Sequence, residues 1–200
     1  MLLLPVMKGI PLRGFGLGIL LMPSLGFGDN LILNPDFAND LSDWTASAGA
    51  AWNSSMGAPA PGSAQLTAGE GVITTLTQCV ALPSADASSV SLSAEIYVFA
   101  DSTNNTGNGY YISSAAFADA ACSDLVSYVG NSINIAPPKT TWTEVSNNYF
   151  PLPAGYQSML VTIRVAGNLY NADYAFDHFS LTQITDRIFA TGFEVNEGFQ

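Results

Sequence analysis

Five aromatic and two charged side chains are the main candidates for contact with a ligand. Aromatic rings stack on the apolar faces of pyranose sugars, and neighbouring polar groups hydrogen-bond the sugar hydroxyls. The candidates are Trp52, Tyr97, Tyr110, Tyr111 and Tyr174, with Glu95 and Arg164 as polar partners. Secondary candidates of the same types are Tyr128, Tyr170, Asn104, Asn105 and Asn108. Trp52 stands beside Asn53 and Ser54 with no apolar alternation around it, which favours an exposed platform in a loop.

Catalysis lacks a recognisable signature in this sequence. Glycoside hydrolysis usually requires two carboxylates that face each other across a cleft, and the 16 acidic residues are scattered among turns with no pair that strand register forces together. Serine-hydrolase elbows, zinc-protease motifs and phosphate-binding glycine loops are also missing. One enzyme alternative stays open, because Arg164, Tyr174 and His178 fall on the same non-core face of two predicted neighbouring strands. A cation, an acid and a base on one face suit a polysaccharide lyase, but the simpler interpretation is a non-catalytic protein.

The segments that position these residues have a hydrophobic period of two. Between Ser89 and Phe99 the apolar side chains occupy alternate positions, at Val90, Leu92, Ala94, Ile96 and Val98, which is the pattern of a strand with one buried face. Further β-like segments span 72–80, 110–118, 142–150, 158–165 and 174–182, separated by turn-forming clusters. The sequence predicts an all-β fold, a single antiparallel β-sandwich or jelly roll over residues 29–183, followed by a C-terminal tail at 184–200. A jelly roll curves its sheets, so we expect the strands that carry Glu95, Tyr97, Tyr110, Tyr111 and Arg164 to present one polar and aromatic groove.

Residues 1–28 have the pattern of a signal peptide. Lys8 and Arg13 precede an apolar, glycine-rich run from Phe15 to Leu25, and Gly26-Phe27-Gly28 offers a small-x-small cleavage pattern. The apolar run is shorter than the roughly 20 residues that span a bilayer. We therefore expect a secreted, periplasmic or cell-surface protein that is not inserted in a membrane after cleavage.

The chain is strongly acidic, with 16 Asp and Glu against five Lys and Arg and a formal net charge of −11. Two of the five cations, Lys8 and Arg13, lie in the predicted leader, so export would make the protein more acidic still. Such a charge repels nucleic acid, anionic lipid surfaces and strongly acidic polysaccharides unless a metal bridges the charges. The sequence leaves the oligomeric state open.

Cys79 and Cys122 are the only cysteines. In an exported chain an even, widely spaced pair most often forms a structural disulfide. A Cys/His zinc site has little support, because the chain contains a single histidine, His178. We therefore expect a disulfide between Cys79 and Cys122.

Two segments at opposite ends of the predicted domain resemble a known family. Asn30-Leu-Ile-Leu-Asn-Pro-Asp-Phe37 is followed by Leu41-Ser-Asp-Trp44, and Tyr174-Ala-Phe-Asp-His-Phe-Ser-Leu-Thr182 closes the domain. Together they resemble the first and last strands of the carbohydrate-binding modules among galactose-binding-like β-sandwiches. The tail segment Ile188–Glu194 resembles an ending seen on some bacterial exported proteins. The resemblance implies a protein that binds a polysaccharide or cell-surface glycan. The alternative is a structural or adhesive sandwich that keeps the scaffold without a sugar site.

The resemblance also implies a structural calcium ion between the first and last strands. In related modules the ligands are backbone carbonyls, an acid near the opening motif and the aspartate of the closing strand, which is Asp177 here. Related modules often carry Glu after the opening Phe, whereas this chain has Ala38, so Asp36 or Asp40 would substitute. The alternation places Asp177 on the core-facing side of its strand. A carboxylate held by backbone amides is the alternative to calcium.

Trp44 and Trp142 occupy the places where related modules carry structural tryptophans. We therefore expect both indole rings in the hydrophobic core.

Overall fold

The computed structural model describes residues 29–84, 87–102, 109–133, 138–168 and 170–184. Within those ranges the helices and strands number ten, and all ten are β-strands. In chain order they are β1 Thr45–Ala46, β2 Ala50–Asn53, β3 Ser63–Ala68, β4 Val72–Ala81, β5 Ser89–Val98, β6 Gly109–Phe117, β7 Leu125–Ile133, β8 Thr143–Pro151, β9 Ser158–Gly167 and β10 Ala172–Ile184. None of the described segments is a helix long and apolar enough to cross a membrane. The predicted leader, most of the predicted tail and the three candidate asparagines of the 103–108 loop lie outside the described residues.

The strands form two five-stranded sheets that pack face to face. Sheet 1 has the strand order β1-β4-β9-β6-β7, and sheet 2 has the order β2-β3-β10-β5-β8. All strand pairs within the two sheets are antiparallel. The central strands, β9 and β10, follow one another in the chain but lie in different sheets. The predicted all-β sandwich is confirmed.

The core lies between the sheets and follows the predicted alternation. In β5 every second side chain from Val90 to Val98 is at most 1% exposed, and β9 buries Met159, Val161, Ile163 and Val165 in the same way. Complete burial of one such aliphatic side chain contributes about 1.5–3 kcal/mol. The intervening side chains point away from the core, so each sheet has an outer face on which functional groups can be displayed.

Hydrogen bonds fasten the opening segment to β10. The N–H of Leu31 donates to the carbonyl of Leu181 at 2.9 Å, and the N–H of Phe179 donates to the carbonyl of Pro35 at 3.0 Å. The side chain of Asn30 joins the same strand, because it donates to the Phe179 carbonyl and accepts the N–H of Leu181. The two segments that carry the family resemblance therefore meet in the structure.

Buried side chains complete this attachment. Trp44 is 8% exposed and its ring packs against Phe37 and Phe179, with centroids 5.5 and 5.3 Å away. The predicted core position of Trp44 is confirmed. On the other side, the buried amide of Gln78 in β4 pairs with the backbone of Leu33, to which it both donates and accepts a hydrogen bond. The two hydrogen bonds of the Gln78 amide thus take the place of the backbone hydrogen bonds that a neighbouring strand would make to Leu33.

Cys79 in β4 and Cys122 in the loop between β6 and β7 form the predicted disulfide, with their Cα atoms 6.0 Å apart. The bond links residues separated by 43 positions. It holds the loop 118–124 across β9, where the hydroxyl of Ser158 donates to the carbonyl of Asp119. The disulfide therefore fixes the loop against sheet 1.

We expect replacement of both cysteines by serine to lower the free energy of unfolding by about 3–4 kcal/mol, because the bridge restricts a long loop of the unfolded chain. Urea denaturation of wild type and the double variant measures this change. Mass spectrometry of unreduced protein isolated under oxidising conditions should find no free thiol, and two free thiols would contradict the prediction.

Candidate functional site

The structure divides the seven candidate ligand residues among the core, two opposite surfaces and a sheet edge. Tyr111 and Arg164 lie on the outer face of sheet 1, Glu95 and Tyr97 on the outer face of sheet 2, Tyr110 and Tyr174 in the core, and Trp52 at the edge of sheet 2. The sequence predicted a single groove that carries Glu95, Tyr97, Tyr111 and Arg164. That prediction is wrong, because the two pairs face away from each other.

Tyr110 and Tyr174 are not surface residues, so a direct contact with a ligand is excluded for both. Each is at most 1% exposed, and their rings meet between the sheets with centroids 5.6 Å apart. Successive side chains in a strand point to opposite faces. Of the adjacent tyrosines in β6, Tyr110 therefore packs in the core and Tyr111 faces outward.

A β-bulge in β10 explains the position of Tyr174. Asp177 pairs with Glu95 and Ser180 pairs with Ser93, so β10 contains one residue more than β5 over this step. His178 lies within the bulge and has a φ of 49°. The extra residue reverses the inward and outward positions along the strand.

Both halves of β10 bury aromatic or aliphatic side chains because of this reversal. Tyr174 and Phe176 point inward before the bulge, and Phe179 and Leu181 point inward after it. The predicted core-facing register of Asp177 is therefore wrong. Asp177 lies on the outer face of sheet 2 and is buried by a covering loop.

The predicted lyase constellation is not assembled either. Arg164 lies on the outer face of sheet 1, Tyr174 is in the core, and His178 is exposed at the bulge of sheet 2. These three side chains cannot act on one substrate atom.

An arginine–tyrosine pair lies at the centre of the outer face of sheet 1. Arg164 in the central strand β9 is in register with Tyr111 of β6 on one side and Thr75 of β4 on the other. Its guanidinium carbon is 5.8 Å from the centroid of the Tyr111 ring, which is a cation–π distance. Tyr111 is half-buried and Arg164 is exposed. The ring therefore supports the guanidinium and leaves its N–H donors accessible to solvent.

Hydroxyl groups line the same face. The next register row places four of them side by side across β6, β9, β4 and β1, at Ser113, Thr162, Thr77 and Thr45. The side-chain hydroxyls of these residues and of Thr75 have no hydrogen-bond partner within the described part of the chain. Tyr128 of β7, 79% exposed, stands at the edge of this face. The face thus combines the half-buried ring of Tyr111, the exposed ring of Tyr128 at its edge, one cation and available hydroxyls.

The loop 118–124 closes one end of this face. It is held there by the disulfide and by its hydrogen bond to β9. Ala115 and Phe117 occupy outward positions of β6 at this end and are nevertheless buried, at 6% and 8% exposure. The open part of the face is the half that surrounds Arg164. We call this half the Arg164 face; it comprises Tyr111, Arg164 and the hydroxyls of Ser113, Thr45, Thr75, Thr77 and Thr162. Tyr128, which pairs with Ala115, borders this face on the capped side.

Sheet 2 presents a different outer face, because its polar side chains bond one another. Gln65 donates to both carboxylate oxygens of Asp173, and the hydroxyl of Thr67 donates to one of them. Asn53 in turn donates to the side-chain oxygen of Gln65. These groups satisfy one another within the protein, so they are less available to a ligand than the hydroxyls of sheet 1.

Tyr97 belongs to an aromatic cluster on sheet 2. Its ring centroid lies 5.2 Å from that of Phe99 and 5.5 Å from that of Trp142. Trp142 is half-buried on this outer side and does not join the core, so its predicted core position is wrong. The segment before β8 runs beside the end of β5, where Thr140 donates its N–H to the Val98 carbonyl. This path carries Trp142 onto the ring of Tyr97 and holds the segment in place.

Glu95 and Glu144 lie directly opposite each other on β5 and β8. Local sequence patterns do not predict this pair, because it depends on which strands are neighbours. Burial, and then the charge of Glu144, raises the pKa of the Glu95 carboxyl. Glu144 is exposed, so solvent screens the pair on one side, unlike the enclosed carboxyl groups that act as general acids.

Trp52 lies in β2 and not in the loop that was predicted. Its indole N–H donates to the carbonyl of Phe37 at 2.7 Å, which fixes the ring against the opening segment. The side chain is nevertheless 40% exposed. Its exposure is confirmed, whereas its contact with a ligand stays a prediction.

A pocket of about 260 Å³ lies where the resemblance implied calcium. Its lining includes Asp36, Ala38, Asp177, His178 and the loop segment 58–61. The N–H of Ala58 donates to Asp177 Oδ2 at 2.6 Å, and the N–H of His178 donates to Asp177 Oδ1 at 2.8 Å. Asp36 Oδ1 lies 2.8 Å from His178 Nδ1. We call this arrangement the Asp177 clasp.

The loop that covers Asp177, residues 58–61, approaches the opening segment closely because Gly62 follows it. Gly62 has a φ of +127°, and a Cβ atom there would lie 2.6 Å from the carbonyl oxygen of Phe37. Any other residue would push the loop away from the opening segment. Gly62 thus allows the loop to bury Asp177 and to aim the amide of Ala58 at it.

The donors around Asp177 do not fit a calcium ion. Each carboxylate oxygen accepts an N–H, and an N–H donor facing a site repels a cation. Ala38 supplies no carboxylate, and Asp40 is not in the pocket, since it accepts the N–H of Ser42. Within the described ranges no three or more His, Cys, Asp or Glu side chains are grouped so that they could hold a metal. The contacts favour the backbone-amide alternative, and calcium stays a prediction for experiment.

Comparison with solved structures identifies the fold. A family 61 carbohydrate-binding module in complex with β-1,4-galactotriose is 16% identical, over 78% of this chain and 99% of that one, with a TM-score of 0.53. The CBM22-1 xylan-binding domain from Paenibacillus barcinonensis is also 16% identical, over 79% and 96%, with a TM-score of 0.54. The enzymatically active domain of a bacteriophage tailspike protein is 15% identical, over 78% of this chain but 21% of that one, with a TM-score of 0.58. This chain therefore has the β-sandwich fold of carbohydrate-binding modules. No protein-family profile and no curated protein sequence matches it.

The Asp177 clasp should make stability depend on pH. Burial raises the pKa of Asp177 from 3.8 to about 6, although the N–H groups of Ala58 and His178 act against the increase. The folded protein then binds a proton more tightly than the unfolded chain, so the contribution of Asp177 to stability is largest below pH 4 and falls as the pH rises through about 6. Between pH 4 and 7 we expect the free energy of unfolding of wild type to fall by up to about 3 kcal/mol more than that of Asp177→Asn. Urea denaturation at each pH measures the difference, and parallel curves for the two proteins would contradict the assignment.

A clasp made of amides should be insensitive to calcium. We expect the same melting temperature for wild type in EDTA and in millimolar calcium chloride, because backbone N–H groups already occupy both carboxylate oxygens. The same measurement on Asp177→Asn separates calcium binding at Asp177 from a general effect of calcium on the melting temperature. A melting temperature that rises with calcium in wild type alone would establish the calcium site instead.

Proposed function

We propose that this protein is exported and binds glycans without catalysis, through the Arg164 face of sheet 1. The observation that carries the proposal is the concentration of ligand-type groups on one open sheet surface. Exposed Tyr128, the Tyr111–Arg164 pair and a row of hydroxyls without partners in the described residues lie within a few strand spacings of one another. The opposite face offers polar groups that already bond each other.

The chemistry of this face suits a pyranose chain. The rings of Tyr111 and Tyr128 supply apolar surfaces on which the C–H faces of sugars stack. Arg164 donates hydrogen bonds, while the threonine and serine hydroxyls both donate and accept them. The cap formed by the loop 118–124 limits the face at one end. A glycan would therefore lie across the open half of sheet 1, with its rings against the tyrosines and its hydroxyls over the threonine row.

Two features support a binding protein over an enzyme. The lyase constellation is dispersed, as shown above, and the Glu95–Glu144 pair lies on the other side of the sandwich from the Arg164 face. Proteins of this fold include a module in complex with β-1,4-galactotriose and a xylan-binding domain.

The signal-peptide pattern of residues 1–28 and the Cys79–Cys122 disulfide both support export, since disulfides persist in oxidising compartments.

We expect Tyr128→Ala and Tyr111→Ala each to weaken glycan binding by about 1–3 kcal/mol, because a ring that stacks on a sugar contributes to the complex and neither ring belongs to the hydrophobic core. Isothermal titration with β-1,4-galactan and xylan oligosaccharides measures the affinity, and thermal melting confirms that the variants fold. Tyr97→Ala is the matched control, since it removes a ring of the same size from the other sheet.

The outcomes separate the alternatives. Loss of binding in Tyr97→Ala with none in the two sheet 1 variants would place the site on sheet 2. Failure of the wild type to bind any member of a panel of soluble and insoluble polysaccharides would favour the structural or adhesive sandwich.

A further inference from the structure

The charges of this protein are sorted between its two sheets. The five strands of sheet 1 contain no Asp or Glu, and they contain one cation, Arg164. All four acidic residues that lie in strands belong to sheet 2, at Glu95, Glu144, Asp173 and Asp177. The net charge of −11 therefore does not describe the surface on which a glycan is proposed to bind. The strands that form that surface carry one positive charge and no negative charge.

Arg164 has no carboxylate partner within the described ranges. The contact between a basic and an acidic side chain that those residues do form joins His178 Nδ1 to Asp36 Oδ1 at 2.8 Å, at the clasp of the other sheet. The acids of the loop 118–124 lie at the capped end of sheet 1, and Asp119 there already accepts hydrogen bonds from the hydroxyl and the N–H of Ser123. In a chain with 16 acids and five Lys and Arg, an exposed arginine without an acidic partner is available to an anion from outside.

The geometry prepares this arginine for such an anion. The ring of Tyr111 lies at a cation–π distance from the guanidinium, and the planar fork of N–H donors matches a carboxylate bidentately. Hydroxyl donors of Thr75 and Thr162 flank it on the neighbouring and the same strand. A neutral sugar can use these donors too, but only a carboxylate adds charge to both hydrogen bonds.

We infer that the glycan bound at the Arg164 face is a largely neutral pyranose chain that carries an isolated uronic acid group, whose carboxylate pairs with Arg164. The inference rests on the proposed function and names its ligand class. A single arginine can neutralise a single carboxylate, and the overall negative charge of the protein repels a chain of consecutive uronic acids. An acid-substituted neutral chain satisfies both constraints.

The test compares ligands that differ in one charge. One set consists of a xylotetraose bearing a single glucuronic acid group, its carboxyl methyl ester and unsubstituted xylotetraose. A second set consists of β-1,4-galactotriose and its form oxidised at one C6 to the uronic acid. Binding is measured by isothermal titration at low and at physiological ionic strength. In at least one set, we expect the acid to bind wild type at least about tenfold more tightly than its uncharged counterpart, as charge-assisted bidentate hydrogen bonds do.

Variants assign the preference to Arg164. Arg164→Gln should abolish the preference for the acid, and it should weaken the uncharged ligands less than the acid, because glutamine keeps an N–H donor but no charge. Arg164→Lys should retain part of the preference, because lysine keeps the charge without the fork. Lys139→Gln is the matched control. It changes the net charge by the same amount, but Lys139 lies away from this face, where it donates to the carbonyl of Ala100. We expect its preference for the acid to equal that of wild type.

Each result has a distinct meaning. Equal affinity of wild type for acid and uncharged ligands, or a preference that survives Arg164→Gln, would overturn the inference while leaving glycan binding intact. A preference lost equally in Lys139→Gln would assign it to net charge and also overturn the inference. Absence of binding to every ligand in both sets and to the wider polysaccharide panel would overturn the proposed function itself.

Discussion

The bulge between Asp177 and Ser180 is the constraint on which the rest of sheet 2 depends. β10 is the central strand, and its first half pairs with β3 and β5 while its second half pairs with β5 and accepts the opening segment. One extra residue lets both halves bury their rings, Tyr174 and Phe176 before it and Phe179 after it. A continuous register would turn one of these sets to solvent, since a shift of one residue exchanges the two faces of a strand. The bulge also aims Asp177 outward, where the covering loop supplies its hydrogen bonds.

Local alternation was sufficient to predict most strands but not the phase of every residue. β5 and β9 follow a strict period of two, so their buried positions could be read directly from the sequence. In β10 the period is interrupted, and counting back from Phe179 and Leu181 assigned Tyr174 and Asp177 to the wrong faces. Tyr110 and Tyr111 presented a similar ambiguity, because both residues are amphipathic and either could face the core. The disulfide and Trp44 were predictable, since the first depended on composition and the second on a motif that includes its burial.

The composition of the site depends on strand order, which local patterns do not contain. Glu95 and Glu144 are far apart in the chain, and only the pairing of β5 with β8 brings them together. For the same reason Glu95 and Tyr97 could not be separated from Tyr111 and Arg164 before their sheets were known. Trp142 shows the same limit, because its contact with Tyr97 depends on how the segment before β8 packs beside β5. Ring type and spacing identified candidate side chains, and topology decided which of them share a surface.

Topology also changes what the net charge means for binding. Packed sheets lie about 10 Å apart, and outward side chains add to the separation between the acids of sheet 2 and the guanidinium of Arg164. Exposed charges separated by more than the Debye length of about 8 Å at physiological salt are largely screened from one another. A ligand at the Arg164 face therefore responds mainly to Arg164 at short range and to the total charge only during its approach. The two effects have opposite signs for an acidic glycan, and raising the ionic strength weakens both. One carboxylate pairs with Arg164, whereas each further carboxylate finds no second cation in the strands of sheet 1 and meets only the net negative charge of the protein. This selectivity depends on the composition and the site together.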